Sequence, residues 1–354
     1  MLIILQSILW SVFGVIIYRE QIVSANIPRF LGRTLYWLGV PIQIFFLARR
    51  SNFEQIIWLP PLVTVLVLLM GLALALTISR TFKQLFFGDR LKLLLPKNLP
   101  ILNLYQKIPV RNRPRLKTLI NVKSALVARK VIYQKLLPTT SNQTGSFILA
   151  SILGNTGFIG LALIPPLVDR NYWSWIVLYG VAHNILGSYG LGALVADYYS
   201  HSGKKNNWLN RLQSLLFLPS LWAFAYGYAS RDLDLPNIIE TFISKAVLLV
   251  VPGAFILIGM QLSKLQQWQN LRVGIFPTVL KMLILPGITG LLLTCFGMRG
   301  DSRLVLVLMS GMPTAFASII LSEAYNLDRN VAASSILLST VSLPVVLLLW
   351  LSIF

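Results

Sequence analysis

The chain has 354 residues, 56% of them hydrophobic and only 12% charged, with a mean hydropathy of +0.71. Soluble domains carry about 25% charged residues, so this composition excludes a soluble globular protein and defines an integral membrane protein. A net charge of +20 is left to be placed, and one cysteine, Cys295, excludes an internal disulfide framework and any multi-cysteine metal site.

Runs of about 20 apolar residues recur along the whole length, enough for helices across about 30 Å of hydrocarbon. The short alternating segments of a β-barrel are not found. Hydropathy predicts ten helices, at 2–18, 30–48, 57–79, 146–167, 173–197, 209–229, 243–263, 272–296, 303–324 and 331–353. The first lacks a basic start and an Ala-x-Ala-like end and is expected to be a true span, not a signal peptide.

Between the third and fourth helices, residues 80–142 hold fourteen basic residues against one acid, Asp89. Within this loop Leu116, Leu119, Ile120, Leu126, Val127 and Val131 share one stripe, with Lys117, Lys123, Arg129, Lys130 and Lys135 elsewhere. That pattern predicts a basic amphipathic helix on the anionic inner leaflet. Nucleic acid is the sharper alternative, but the helical stretch has one aromatic, Tyr133, and no nucleic-acid partner is expected. Asn142-Gln143-Thr144 is a formal glycosylation sequon that an inner-face position would leave unmodified.

The fourth helix contains "SILGNTGFIGLALIPPL" (151–167). Gly157 and Gly160 weaken a helix, and Asn155 and Thr156 compete for its backbone groups. In lipid, freed backbone groups are tolerated only inside protein or beside a water-filled cavity. One alternative is that Gly157-x-x-Gly160 only lets helices pack closely. The ninth helix repeats the disruption with Gly311, Pro313, Thr314 and Ser318, and Pro313 removes a helical hydrogen bond. Two broken helices that meet direct half-helix N-termini and their partial positive charge at one point, which suits an anion, carboxylate being the commonest.

Few ionisable residues lie within spans. In the fifth helix His183, followed by Asn184, reads either as a proton relay or substrate contact, or as a neutral histidine satisfied within the bundle. Lys245 and Lys281 are expected to snorkel, Lys281 to the inner interface. Glu323 lies at an inner helix end where solvation accounts for it. "AASSILLST" (332–340) reads as packing.

The basic residues orient the chain. With the N-terminus outside, 23 Lys and Arg fall in inner loops and 6 in outer ones, so both termini are expected outside a cell (plasma or inner) membrane. The halves also echo each other. "YWLGVPIQIFFLARR" (36–50) matches "LLVVPGAFILIGMQLSK" (248–264), Pro41 answering Pro252. The broken stretch of the fourth helix matches "VLMSGMPTAFASIILSE" (307–323). Five helices per half require the repeats to be inverted, the arrangement of secondary transporters with a site near the midplane. The expected fold class is an all-α integral membrane protein of ten transmembrane helices as two inverted five-helix repeats, with broken crossing helices four and nine. In chain order this gives 1–79, 80–142, 143–200 and 205–354. No His-Glu-x-x-His, Asp-rich pair or Gly-x-Ser-x-Gly elbow is present, so an enzyme, a metal site and a cofactor are not expected.

At these residues the chain resembles the auxin efflux carrier family, its bacterial-type members above all. "GNTGFIGLAL" (154–163), "GMPTAFASIILSEAYNLDRNVAASSILLST" (311–340), "RTLYWLGVPIQIFFLARRSNF" (33–53) and "VVPGAFILIGMQLSK" (250–264) carry the likeness in order. It covers nearly the whole chain outside 82–140. The resemblance implies a scaffold of helices one, two, six and seven and a mobile unit of helices three to five and eight to ten. It implies an organic anion bound where helices four and nine cross, with Asn155, Thr156, Gly157 and Gly160 as one arm and Pro313 and Thr314 as the other. The chain departs from the family pattern at Ala162, Ala317 and Ser318. The expected function is an elevator-type efflux carrier of a small organic anion, with a homodimer as a further expectation. The alternatives are a Na⁺- or H⁺-coupled symporter of the bile-acid type and a non-transporting receptor acting through the basic loop.

Overall fold

The computed structural model describes residues 2–51, 53, 56–87, 136–200, 218–264 and 268–354. Among these the chain is all-helical and has no strand, only one isolated antiparallel bridge between Gly154 and Thr314. In chain order the helices are α1 (Leu2–Arg19), α2 (Ile27–Arg50), α3 (Leu59–Phe87), α4 (Ser141–Ile152), α5 (Thr156–Leu167), α6 (173–199), α7 (Pro219–Ala229), α8 (Asn237–Lys264), α9 (Leu271–Cys295), α10 (Asp301–Ser310), α11 (Ala317–Ala324) and α12 (Arg329–Ile353). Among the described residues five stretches are long and apolar enough to span a membrane: Ile27–Arg50, Leu59–Thr81, Asn237–Ser263, Leu271–Cys295 and Arg329–Ile353. The expected basic amphipathic helix, with Lys117, Lys123, Arg129, Lys130 and Lys135, lies outside the described residues, as does the first part of the expected sixth helix.

Local chemistry explains where these helices start and bend. Thr140 and Gln143 close a capping box at the start of α4. The sequon residues thus have structural roles, since Asn142 Nδ2 also donates to the Asn326 carbonyl at 2.9 Å. Two prolines sit just after a widened turn. In α2 the Val40 N–H reaches back five residues to the Leu35 carbonyl, immediately before Pro41. In α9 the Leu285 N–H reaches Leu280 in the same way, immediately before Pro286. Proline cannot donate to the carbonyl four back and its ring crowds it, so a turn one residue wider accommodates the ring.

Packing separates two groups of helices. Helix α1 lies along α8, and α7 lies along α2, which also touches α8. The short helices α4 and α10 are almost wholly buried; α3, α6 and α12 surround α4, and α9 packs along α10. Among the polar bonds between the groups, buried Gln43 of α2 donates from Nε2 to the Leu161 carbonyl of α5 at 2.8 Å. The helical donor for that carbonyl would be residue 165, which is proline. Gln43 therefore satisfies an acceptor that the sequence of α5 itself orphans. Gln43→Leu is expected to lower the thermal midpoint of the purified protein by the equivalent of about 1–3 kcal/mol, the cost of a buried unsatisfied carbonyl. An unchanged midpoint in a detergent melting curve would count against this.

Candidate functional site

Both disrupted segments break where the sequence places the disruption. α4 ends at Ile152 and α5 begins at Thr156; α10 ends at Ser310 and α11 begins at Ala317. The two linkers meet as a short antiparallel bridge. The Asn155 N–H donates to the Pro313 carbonyl at 2.7 Å and the Ala315 N–H to the Leu153 carbonyl at 2.9 Å. These bonds satisfy backbone groups that the breaks free from helical pairing. Thr314 fastens the bridge on both sides: its Oγ1 donates to the Ala150 carbonyl at 3.0 Å and its N–H to Ser339 Oγ at 3.1 Å.

A pocket of about 380 Å³ opens against this bridge. Gly154, Asn155, Gly157 and Phe158 line it from one broken helix, Ala315 to Ala317 from the other. The first half of α2 contributes Tyr36, the middle of α6 Asn184 and Tyr189, and the start of α7 Ser220. It extends to Tyr325, beyond the end of α11. The start of α4 and the ends of α6 and α11 meet there, since a methyl on Gly145 would touch Tyr199 and Leu327. The pocket thus extends toward the end of the bundle where α4 begins and α11 ends. Among the described residues its wall is mostly apolar and carries no Asp, Glu, Lys, Arg or His. Asn155 Oδ1 caps α5 by accepting from the Phe158 N–H at 3.3 Å, which leaves the amide nitrogen as its donor. Asn184 approaches the same place: its Nδ2 would lie 3.1 Å from a Cβ on Gly157. Tyr36 and Tyr189 share a hydroxyl–hydroxyl bond of 3.0 Å.

Of the residues expected here, Asn155, Gly157 and Asn184 line the pocket. Thr156 lies behind it, with a buried hydroxyl that has no partner among the described residues. Gly160 packs on Met309 and Met312, and Gly311 on Pro286. Pro313 gives its carbonyl to the bridge. Ser318 is buried and donates to the Ala315 carbonyl at 2.8 Å. His183 does not line the pocket. It is fully buried, with Nε2 3.3 Å from the Gly154 N–H and 3.4 Å from the Ile152 carbonyl. Pro41 and Pro252 lie within α2 and α8. Glu323 pairs with Arg329 at 2.8 Å on the surface.

The expectation that Lys281 snorkels to the interface is corrected. Lys281 is fully buried, and its Nζ donates to the Ser310 carbonyl at the end of α10, at 2.9 Å. Ten residues into α9, at 1.5 Å each, it starts about 15 Å from the helix end, too deep to reach out. Gly154 is what lets it approach: a methyl there would lie 2.8 Å from Lys281 Cε and 2.9 Å from Nζ. Sequence reasoning also missed Gly154 itself and Ser339. The run "AASSILLST" carried a signal for Ser339, since one serine in it turns toward the bridge while Ser334 and Ser335 are buried elsewhere.

Comparison with known proteins agrees with this architecture. Residues 231–351 match the profile of a family described as Membrane transport protein. An uncharacterized transporter of Methanocaldococcus jannaschii is 26% identical over 220 residues, 58% of this chain and 67% of the relative. A second uncharacterized transporter, from Methanothermobacter thermautotrophicus, is 24% identical over 211 residues, 59% of this chain and 68% of its own length.

Proposed function

We propose that this chain, whose residues 231–351 resemble the Membrane transport protein family and which is similar to two archaeal proteins named as transporters, is a multi-pass secondary carrier of a small organic anion, bound at the crossing of its two broken helices. The observation that carries this is Asn155: it caps the 12-residue stretch Thr156–Leu167 and lines a pocket that has no acidic side chain among the described residues. A carboxylate there accepts from the Asn155 amide while the α5 and α11 N-termini stabilise its charge. The apolar wall takes the rest of the molecule. Helices α1, α2, α7 and α8 form the static frame, and α3–α6 with α9–α12 form the moving unit. The packing of α1 on α8 and of α7 on α2 supports that division, as do breaks at matching places in the two halves. The pocket extends toward the end of the bundle where α4 begins, and the expected positive-inside orientation supports reading that end as cytoplasmic. In this reading the carrier loads its substrate from the cytoplasmic side for efflux.

Asn155→Ser tests the site because serine keeps the helix cap but loses the amide donor. Benzoate and hexanoate are expected to stabilise the wild type in a thermal-shift titration and to bind the variant at least about tenfold more weakly, the worth of one charge-assisted hydrogen bond. Equal affinity of a well-folded variant would refute the assignment.

A further inference from the structure

Among the described residues the pocket wall holds no charged side chain, yet buried Lys281 lies beside Gly154 of that wall. Gly154 lines the pocket and also touches Lys281, whose Nζ would be 2.9 Å from a Cβ at that position. Among the described residues no carboxylate lies within ion-pair distance of this ammonium. What it faces is the C-terminal end of α10, through the Ser310 carbonyl, and the linker that follows the C-terminal end of α4. Helix C-termini carry partial negative charge and attract cations. In transporters built from discontinuous helices, such half-helix C-terminal ends and unwound carbonyls coordinate the coupling Na⁺ or H⁺.

We propose that the Lys281 ammonium is the site's built-in cation: it occupies the position of a dissociable coupling ion and supplies, from beside Gly154, the positive charge opposite the bound carboxylate. The proposal rests on the anion reading above and adds to it a fixed counter-charge. A cation tethered to α9 moves with the unit that carries the site. Anion binding then requires no alkali ion from solution, and a side chain at residue 154 is excluded by the same close approach.

The test uses the full-length protein in detergent, titrated with benzoate and hexanoate in NaCl and again in N-methylglucamine chloride. The wild type is expected to bind equally in both salts. Lys281→Met removes the charge and the donor. Lys281→Gln removes only the charge, because its amide can still donate to the Ser310 carbonyl. Both variants are expected to bind at least about tenfold more weakly, with Lys281→Gln keeping the wild-type elution profile. A merely structural lysine predicts that Lys281→Gln binds as the wild type does, and that result overturns the proposal. Wild-type binding that needs Na⁺ also overturns it. A wild type that responds to no carboxylate removes the anion reading and the lysine's role together, whereas response by both wild type and Lys281→Gln removes the lysine's role alone.

Discussion

Gly259→Leu is expected to remove most of the monodisperse protein, the largest effect on folding of any single change considered for this chain. A Cβ on Gly259 of α8 would overlap the Ser11 carbonyl oxygen of α1, and a Cβ on Gly14 of α1 would overlap the Ile256 carbonyl oxygen of α8. Here the clashing atoms are backbone, so no rotamer change can relieve them and the helices must separate. Helices in a bilayer gain little from burying apolar surface against each other, because lipid is equally apolar; close backbone approach through small residues supplies the attraction instead. Overpacking typically costs about 1–3 kcal/mol, and more where backbone must move. Gly259→Ala is expected to be intermediate, lowering the thermal midpoint while leaving a folded peak. Size-exclusion profiles of the three proteins check the order, and a normal peak for Gly259→Leu would show that α1 and α8 do not pack this closely.

Gly154→Ala is expected to abolish anion binding while most of the fold survives. The added methyl would sit 2.8 Å from Lys281 Cε and 2.9 Å from Nζ, and 3.4 Å from the Met312 carbonyl oxygen. The lysine tip is the part that can yield, and yielding breaks its 2.9 Å bond to the Ser310 carbonyl. The variant thus loses the position of the ammonium and distorts the linker that carries Asn155. A double-mutant cycle separates this from general damage: in a Lys281→Ala background the methyl has room, so Gly154→Ala is expected to cost much less stability than it does in the wild type. Additive effects of the two changes on the thermal midpoint would show that residues 154 and 281 do not touch.

The two predictions use glycines of different legibility. Gly259 lies in "VVPGAFILIGMQLSK", a stretch the sequence already singled out through Pro252 and its echo in the first half. Gly154 stands at the head of "GNTGFIGLAL", yet attention fell on the residues after it. Asn155 and Pro313 could be read as breakers because each acts on its own backbone, through a competing side chain or a missing N–H. That the breaks meet as an Asn155–Pro313 and Ala315–Leu153 bridge depends on segments some 160 residues apart. Ala162, where the resembling family has proline, sits in the second half-helix and the break forms upstream of it all the same. The linker bonds to the other broken helix, and not a proline ring, hold it open.

By itself the sequence determined the membrane class, the helical content and the two places where helices fail. Each of these follows from composition or from chemistry within one turn: apolar length against bilayer thickness, glycine and proline against helical hydrogen bonds. It also supplied the motifs that resemble those of the auxin efflux carrier family. The tertiary structure decided which helix face turns inward, and so decided the fate of Lys281, Ser339 and Gln43. Lys281 read as a snorkelling residue because hydropathy counts distance along a helix, whereas burial depends on which neighbour covers that face. Gln43 and Leu161 show the same limit, since the orphaned carbonyl is visible in the sequence through Pro165 but its donor lies 118 residues away on another helix. Such pairings are set by packing of the whole bundle, which no local pattern encodes.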